Sequence, residues 1–135
     1  MKKIVRFPAV LIVCISLCAL FPMSVMAESM HIEKSAVCEN VVNREVVNEG
    51  WSFSSSVGRL YCYSKVADID SYTEVVHAWY FGDKQRARVT LNVNPPAWRT
   101  YSSKSLQDHE VGAWRVEILD KSGNLLETVR FEVTQ

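Results

Sequence analysis

The chain has 135 residues, 15 Lys+Arg against 15 Asp+Glu for a formal charge of zero, and a composition that is 48% hydrophobic and 10% aromatic. That length supports one core of ordinary size and excludes an array of domains. Balanced charge with no basic block excludes the electrostatic footprint of a nucleic-acid binder.

Met1–Arg6 holds Lys2, Lys3 and Arg6 and no acid, and Ala9–Phe21 is an unbroken apolar run. Val25-Met26-Ala27 then offers small residues at a cleavage position. This order reads as a secretory signal over residues 1–27, cut after Ala27. The 13-residue run is short for a bilayer span of about 20 residues, so no stable span is expected after cleavage; a retained anchor is the other reading. Cys14 and Cys18 follow Val13 and Leu17 and not the small residue that lipoprotein processing wants. Three of the basic residues precede Ala27 and every acid follows it, so a cleaved chain of 108 residues, 28–135, carries a charge of −3. The expected location is the periplasm or the extracellular space.

The domain keeps Cys38 and Cys62, an even count in an oxidising compartment. Their separation fits no Cys-x-x-Cys redox or metal motif, so the expectation is a structural disulfide closing a loop of about 25 residues. Apolar residues recur with period 2 along the rest of the chain. Strands are predicted over Ala36–Asn43, Gly58–Val66, Glu74–Phe81, Arg86–Val93, Trp114–Leu119 and Val129–Thr134. Gly82-Asp83 and Asp120–Asn124 supply turns, and Asn94-Pro95-Pro96 ends a strand. Arg44–Ser56 is polar and irregular and reads as a loop. About seven short strands without a convincing helix predict an all-β fold: a small antiparallel β-sandwich, immunoglobulin-like in size, with a small β-barrel as the alternative.

Strand parity assigns a core. Trp114 shares the parity of Val116 and Ile118, and Phe131 that of Val129 and Val133. His77 and Trp79 share one face of a strand that is apolar on both faces, so His77 is expected to be buried, hydrogen-bonded and neutral. The segment Trp98-Arg99-Thr100-Tyr101-Ser102-Ser103-Lys104-Ser105-Leu106 does not alternate cleanly and reads as a turn-forming loop after two prolines. Either it braces a structural corner, or Trp98 and Tyr101 stack on a ligand or partner while Arg99 and Lys104 bind an anionic group such as a carboxylate or phosphate, with Ser103 in the same candidate site.

Catalytic patterns are poorly represented. Tyr101 stands three before Lys104, where Ser-x-x-Lys chemistry needs serine. No Gly-x-Ser-x-Gly or phosphate-binding glycine loop occurs, and His31, His77 and His109 are isolated. Asp68 and Asp70 alone are too few for a calcium site. No metal, cofactor or catalytic residue is assigned.

Val76-His77-x-Trp79-Tyr80, the Trp98–Leu106 segment, Gly112-x-Trp114-x-Val116, Gly123-x-x-Leu126 and Phe131-x-Val133 together resemble the bacterial Domain of Unknown Function 2914 family, over most of Cys38–Val133. The resemblance implies a small exported or envelope-associated β domain with no assigned activity or ligand. Tyr101 stands where the family pattern has Trp, and the cysteine pair looks like a subgroup feature. Three functional expectations follow. The first is a non-catalytic interaction or accessory domain with an envelope protein as partner. The second is a cell-wall glycan-binding module using Trp51, Trp98 and Tyr101. The third, a small hydrolase, needs Ser103, Lys104 and His77 or His109 around one pocket.

Overall fold

A computed structural model describes residues 3–4 and 29–135. The expected signal segment and its cleavage point lie outside the described residues. No helix among the described residues is long and apolar enough to cross a membrane.

Nine strands form among the described residues. In chain order they are β1 (His31–Val42), β2 (Glu45–Gly50), β3 (Ser52–Ser54), β4 (Arg59–Ala67), β5 (Thr73–Phe81), β6 (Lys84–Val93), β7 (Trp98–Ser105), β8 (Gly112–Asp120) and β9 (Leu125–Thr134). They build two sheets, ordered β2-β1-β4-β7 and β3-β9-β8-β5-β6. This is a β-sandwich and not a closed barrel. Pairing is antiparallel except between β3 and β9, which run parallel.

Two segments expected to be irregular are strands. The Arg44–Ser56 stretch contains β2, β3 and one short 3-10 turn. Asn43 and Arg44 both take positive φ, 51° and 61°, which tightens the β1–β2 turn in the manner of a type I′ hairpin. The chain leaves the first sheet after Gly50 and joins the second at Ser52, and this crossing makes the parallel β3–β9 pair. Trp98–Ser105 is a full edge strand, paired with β4 from Arg59↔Ser105 to Val66↔Trp98. Its serines and threonine fill ladder positions where their small side chains face either a polar bridge or water.

The core lies between the sheets. Val37, Leu60, Cys62 and Val66 come from the first sheet, and Val75, Trp79, Trp114, Val116, Ile118, Phe131 and Val133 from the second. Trp114 stacks on Phe131 at 5.9 Å between ring centres, and Trp79 meets the same ring edge-on at 6.0 Å. Each such aromatic buries roughly 150–250 Å² and dominates core energetics. Gly112, at φ 138°, starts β8 where a Cβ would meet the Phe81 ring at 3.4 Å. A side chain there is strained by the backbone as well as crowded.

The expected Cys38–Cys62 disulfide does not form; both cysteines are free and buried. The register gives the reason. Val37 lies opposite Cys62, and Cys38 opposite Tyr61. Directly opposed residues share a face and neighbours along a strand do not. Cys62 therefore points into the core while Cys38 points to the outer face of the same sheet. Bridging them would demand a one-residue slip of β1. Burial raises both thiols above their ordinary pKa.

Candidate functional site

Strand β7 divides the residues singled out in the sequence. Those paired with the core-facing Leu60, Cys62 and Val66 are Lys104, Ser102 and Trp98. Arg99, Tyr101 and Ser103 lie on the opposite, outer face by alternation. The five candidates thus form no single constellation. Ser103 and Lys104 point to opposite sides of one strand, which separates the hydroxyl from the amine that a Ser–Lys pair would need.

On the inner side, Lys104 donates to the Ser105 carbonyl and lies 3.4 Å from a carboxylate oxygen of Glu110. Its Nζ also sits 5.8 Å from the Trp114 ring centre. Glu110 is only 2% exposed; it accepts from the Gln107 backbone N–H and pairs with Arg86 at 3.5 Å. Two cations and one amide thus compensate a desolvated carboxylate. On the outer face, Ser103 and Ser105 accept from the two terminal nitrogens of Arg59 at 2.6 and 2.7 Å. Tyr101, 47% exposed, meets Tyr61 edge-on at 6.0 Å.

Ser102 takes part in a sealed polar bridge between the sheets. His77, on β5, is fully buried and hydrogen-bonds Ser64 of β4 through Nε2 at 2.8 Å and Ser102 of β7 through Nδ1 at 2.7 Å. The indole N–H of Trp79 donates to the same Ser102 oxygen at 3.0 Å. Burial lowers the His77 pKa from 6.5 to about 4, so the ring is neutral at physiological pH. Trp79, Trp114, Val116 and Phe131 are buried on the same inner face of this sheet. With no exposure, His77 cannot meet a substrate. His109 is exposed on the turn after β7. His31 pairs with Asp68 at 3.2 Å at the far end of β1. No group of three or more His, Cys, Asp or Glu converges among the described residues.

Trp98 and Arg99 sit at a corner that sequence reasoning did not reconstruct. Lys34, Lys65 and Arg99 lie in one row across β1, β4 and β7. The β1–β2 turn lies beyond Val42, eight residues past Lys34, or about 26 Å of extended strand. Yet Arg99 bonds Glu45 at 3.0 Å, and the Arg44 guanidinium lies 5.4 Å from the Trp98 ring centre. The far half of the hairpin therefore folds back over the outer face of its own sheet. The fold starts where the β1–β2 ladder skips Glu39 and Asn48, with Asn48 at φ 54°. It accounts for the burial of Ala36, Cys38 and Tyr63, whose register points them outward. Backbone groups of Val47 and Asn40 approach the Cys38 thiol there. Arg44, Lys65, Ala97, Trp98 and Arg99 line a cavity of about 240 Å³ at this corner.

A second concavity, of about 430 Å³, lies where the chain crosses between sheets. Ala36, Val37 and Val129 form apolar walls, Glu49 and Arg130 stand at the rim, and Trp51 is 81% exposed beside it. Trp51 and Tyr101 belong to opposite edges of the molecule, so the aromatics proposed for a glycan platform do not share a surface.

These features define a small two-sheet β domain whose buried polar groups are paired internally. Residues 72–133 match the model of the family described as Protein of unknown function (DUF2914). The matched region runs from the start of β5 through most of β9 and includes β7. It leaves β1–β4, the folded-back hairpin and both cysteines outside, a narrower span than Cys38–Val133. No curated protein matches the chain.

Proposed function

We propose that this chain is an exported, envelope-located domain that acts by binding another protein, not by catalysis. The observation that carries this reading is Trp51, a large side chain 81% exposed beside an apolar groove of about 430 Å³. Exposed aromatics beside a pocket with a polar rim are the usual anchors of protein recognition. The groove also adjoins free backbone. Glu132 N–H bonds the Trp51 carbonyl, so alternate residues Arg130 and Thr128 turn their amides to the same edge, beyond the end of β3. An extended partner segment laid there would find both main-chain bonds and an apolar pocket. The non-catalytic part of the reading is supported by the separation of Ser103 from Lys104 and by the sealing of His77.

Photo-crosslinking tests it. A crosslinker replacing Trp51 in cells should give discrete protein adducts in the envelope fraction. The same group replacing Tyr72, 79% exposed but outside this groove, should not. Absence of adducts at 51, or equal adducts from both positions, overturns the proposal.

A further inference from the structure

The corner cavity has a chemistry that the protein-binding reading does not use. Three of its five lining residues are cations: Arg44 from the hairpin turn, Lys65 from β4 and Arg99 from β7. No acid lines it. Glu33 pairs with Lys65 at 3.0 Å and Glu45 with Arg99 at 3.0 Å, so two of the three charges are compensated by carboxylates that are not among the lining residues. Arg44 has no carboxylate partner among the described residues and is held only against the Trp98 ring. With Lys65 and Arg99 already paired, Arg44 is the uncompensated charge of this corner, and the two cations beside it favour the arrival of an anion. Arginine presents fixed parallel donors that match the oxygens of phosphate, and lysine adds a point charge.

We infer that this corner is an anion site that takes a phosphoryl group carried on a larger molecule. The cavity volume exceeds what the anion needs, and Trp98 supplies a flat wall for the group bearing it. The site joins two separate parts of the fold. Arg44 arrives on the hairpin, whereas Lys65 and Arg99 belong to the sheet beneath it. A phosphoryl group bridging them ties the hairpin down over Ala36, Cys38 and Tyr63. Lys104, the other cation of the β7 segment, is committed to Glu110 on the inner face and takes no part.

The experiment uses the full chain at fixed ionic strength, with hydrogen exchange of the 39–48 amides and calorimetric titration as readouts. The probes are inorganic phosphate, glucose 1-phosphate, and phosphatidylglycerol vesicles against phosphatidylcholine vesicles. Phosphate-bearing probes should slow exchange in the hairpin beyond the effect of chloride. Arg44→Gln and Lys65→Gln should each weaken binding about tenfold, as loss of one charge-assisted bond implies. Arg44→Lys should recover part of the loss, and Arg59→Gln on the same sheet should change nothing. Binding by glucose 1-phosphate identifies a sugar-borne group. Binding by phosphatidylglycerol alone, still sensitive to Arg44→Gln, identifies a lipid-borne one. Hairpin exchange that matches chloride for every probe overturns the inference. So does binding that Arg44→Gln and Lys65→Gln leave unchanged.

Discussion

The His77 bridge and the hairpin corner both tie distant segments together with polar bonds, yet water reaches only one of them. His77 joins β4, β5 and β7 inside the sandwich, with no exposure at all. Arg99 and Glu45 join segments 54 residues apart with side chains 41% and 71% exposed. A buried group stripped of its partner cannot turn to solvent and bears the full desolvation cost. An exposed ion pair exchanges its partner for water and is worth about 0.2–1 kcal/mol. The bridge is therefore expected to govern whether the sandwich exists, and the corner only whether the hairpin is closed.

The sharpest way to break this comparison is His77→Ala. The substitution leaves a void and strands the hydroxyls of Ser64 and Ser102, with the Trp79 indole still donating to the latter. A cavity and unpaired hydroxyls together should cost about 3–5 kcal/mol, read as a lowered urea midpoint. That is a large share of the 5–15 kcal/mol typical of a domain. A loss below about 1 kcal/mol would place the bridge on a level with the corner.

Acid should reveal the bridge without mutation. The folded pKa of His77 is about 4 and the unfolded value 6.5, so the unfolded chain takes up a proton first. Stability is fully present above pH 6.5, falls as pH drops between 6.5 and 4, and has lost about 3 kcal/mol from this group below that. Urea midpoints measured from pH 7.5 to 4 should show the slope in the native chain and lose most of it in His77→Gln. Asp120 acts only at lower pH: the Asn124 side chain, then backbone amides, hold its carboxyl below the ordinary range. An unchanged slope in the variant would move the acid sensitivity elsewhere.

Much of the bridge was legible in the sequence, and almost none of the corner. His77 and Trp79 alternate with apolar neighbours on a strand that is apolar on both faces, and period 2 is enough to send them inward. Trp114, Val116 and Phe131 follow from the same periodicity. The corner depends on where β1 and β2 bend, and no local pattern encodes that. Asn43-Arg44 lacks the glycine that announces a tight hairpin, so no local signal marks β2 as a strand. Ser102, Ser103 and Lys104 carry a turn-like composition because their roles lie outside the segment: His77 and Arg59 are distant in sequence, and Glu110 sits beyond the end of β7. The disulfide expectation failed for a related reason. Cysteine count and compartment are sequence properties, whereas the one-residue offset between Cys38 and Cys62 is a property of register.

That offset supplies a graded test of the two regions with thiols as reporters. Cys62 faces the core beside the bridge, and Cys38 lies beneath the hairpin. Under native conditions a maleimide should label Cys38 faster than Cys62, since local opening of an edge costs less than global unfolding. Cys62→Ala and Cys38→Ala isolate the two rates.

The smallest effect belongs to the corner itself. Arg99→Ala removes the pair with Glu45 but leaves the sandwich untouched, so global stability should fall by less than about 1 kcal/mol. Amide exchange over residues 39–48 and maleimide labelling of Cys38 should nevertheless accelerate together, with Cys62 unchanged. Glu45→Ala should produce the same pattern, and the double variant should add little to either single one, because both remove one bond. Raising salt should imitate the substitutions weakly, since the pair is exposed and screened. If Arg99→Ala instead accelerates Cys62, the hairpin is continuous with the core, and the corner is part of the same cooperative unit as the bridge.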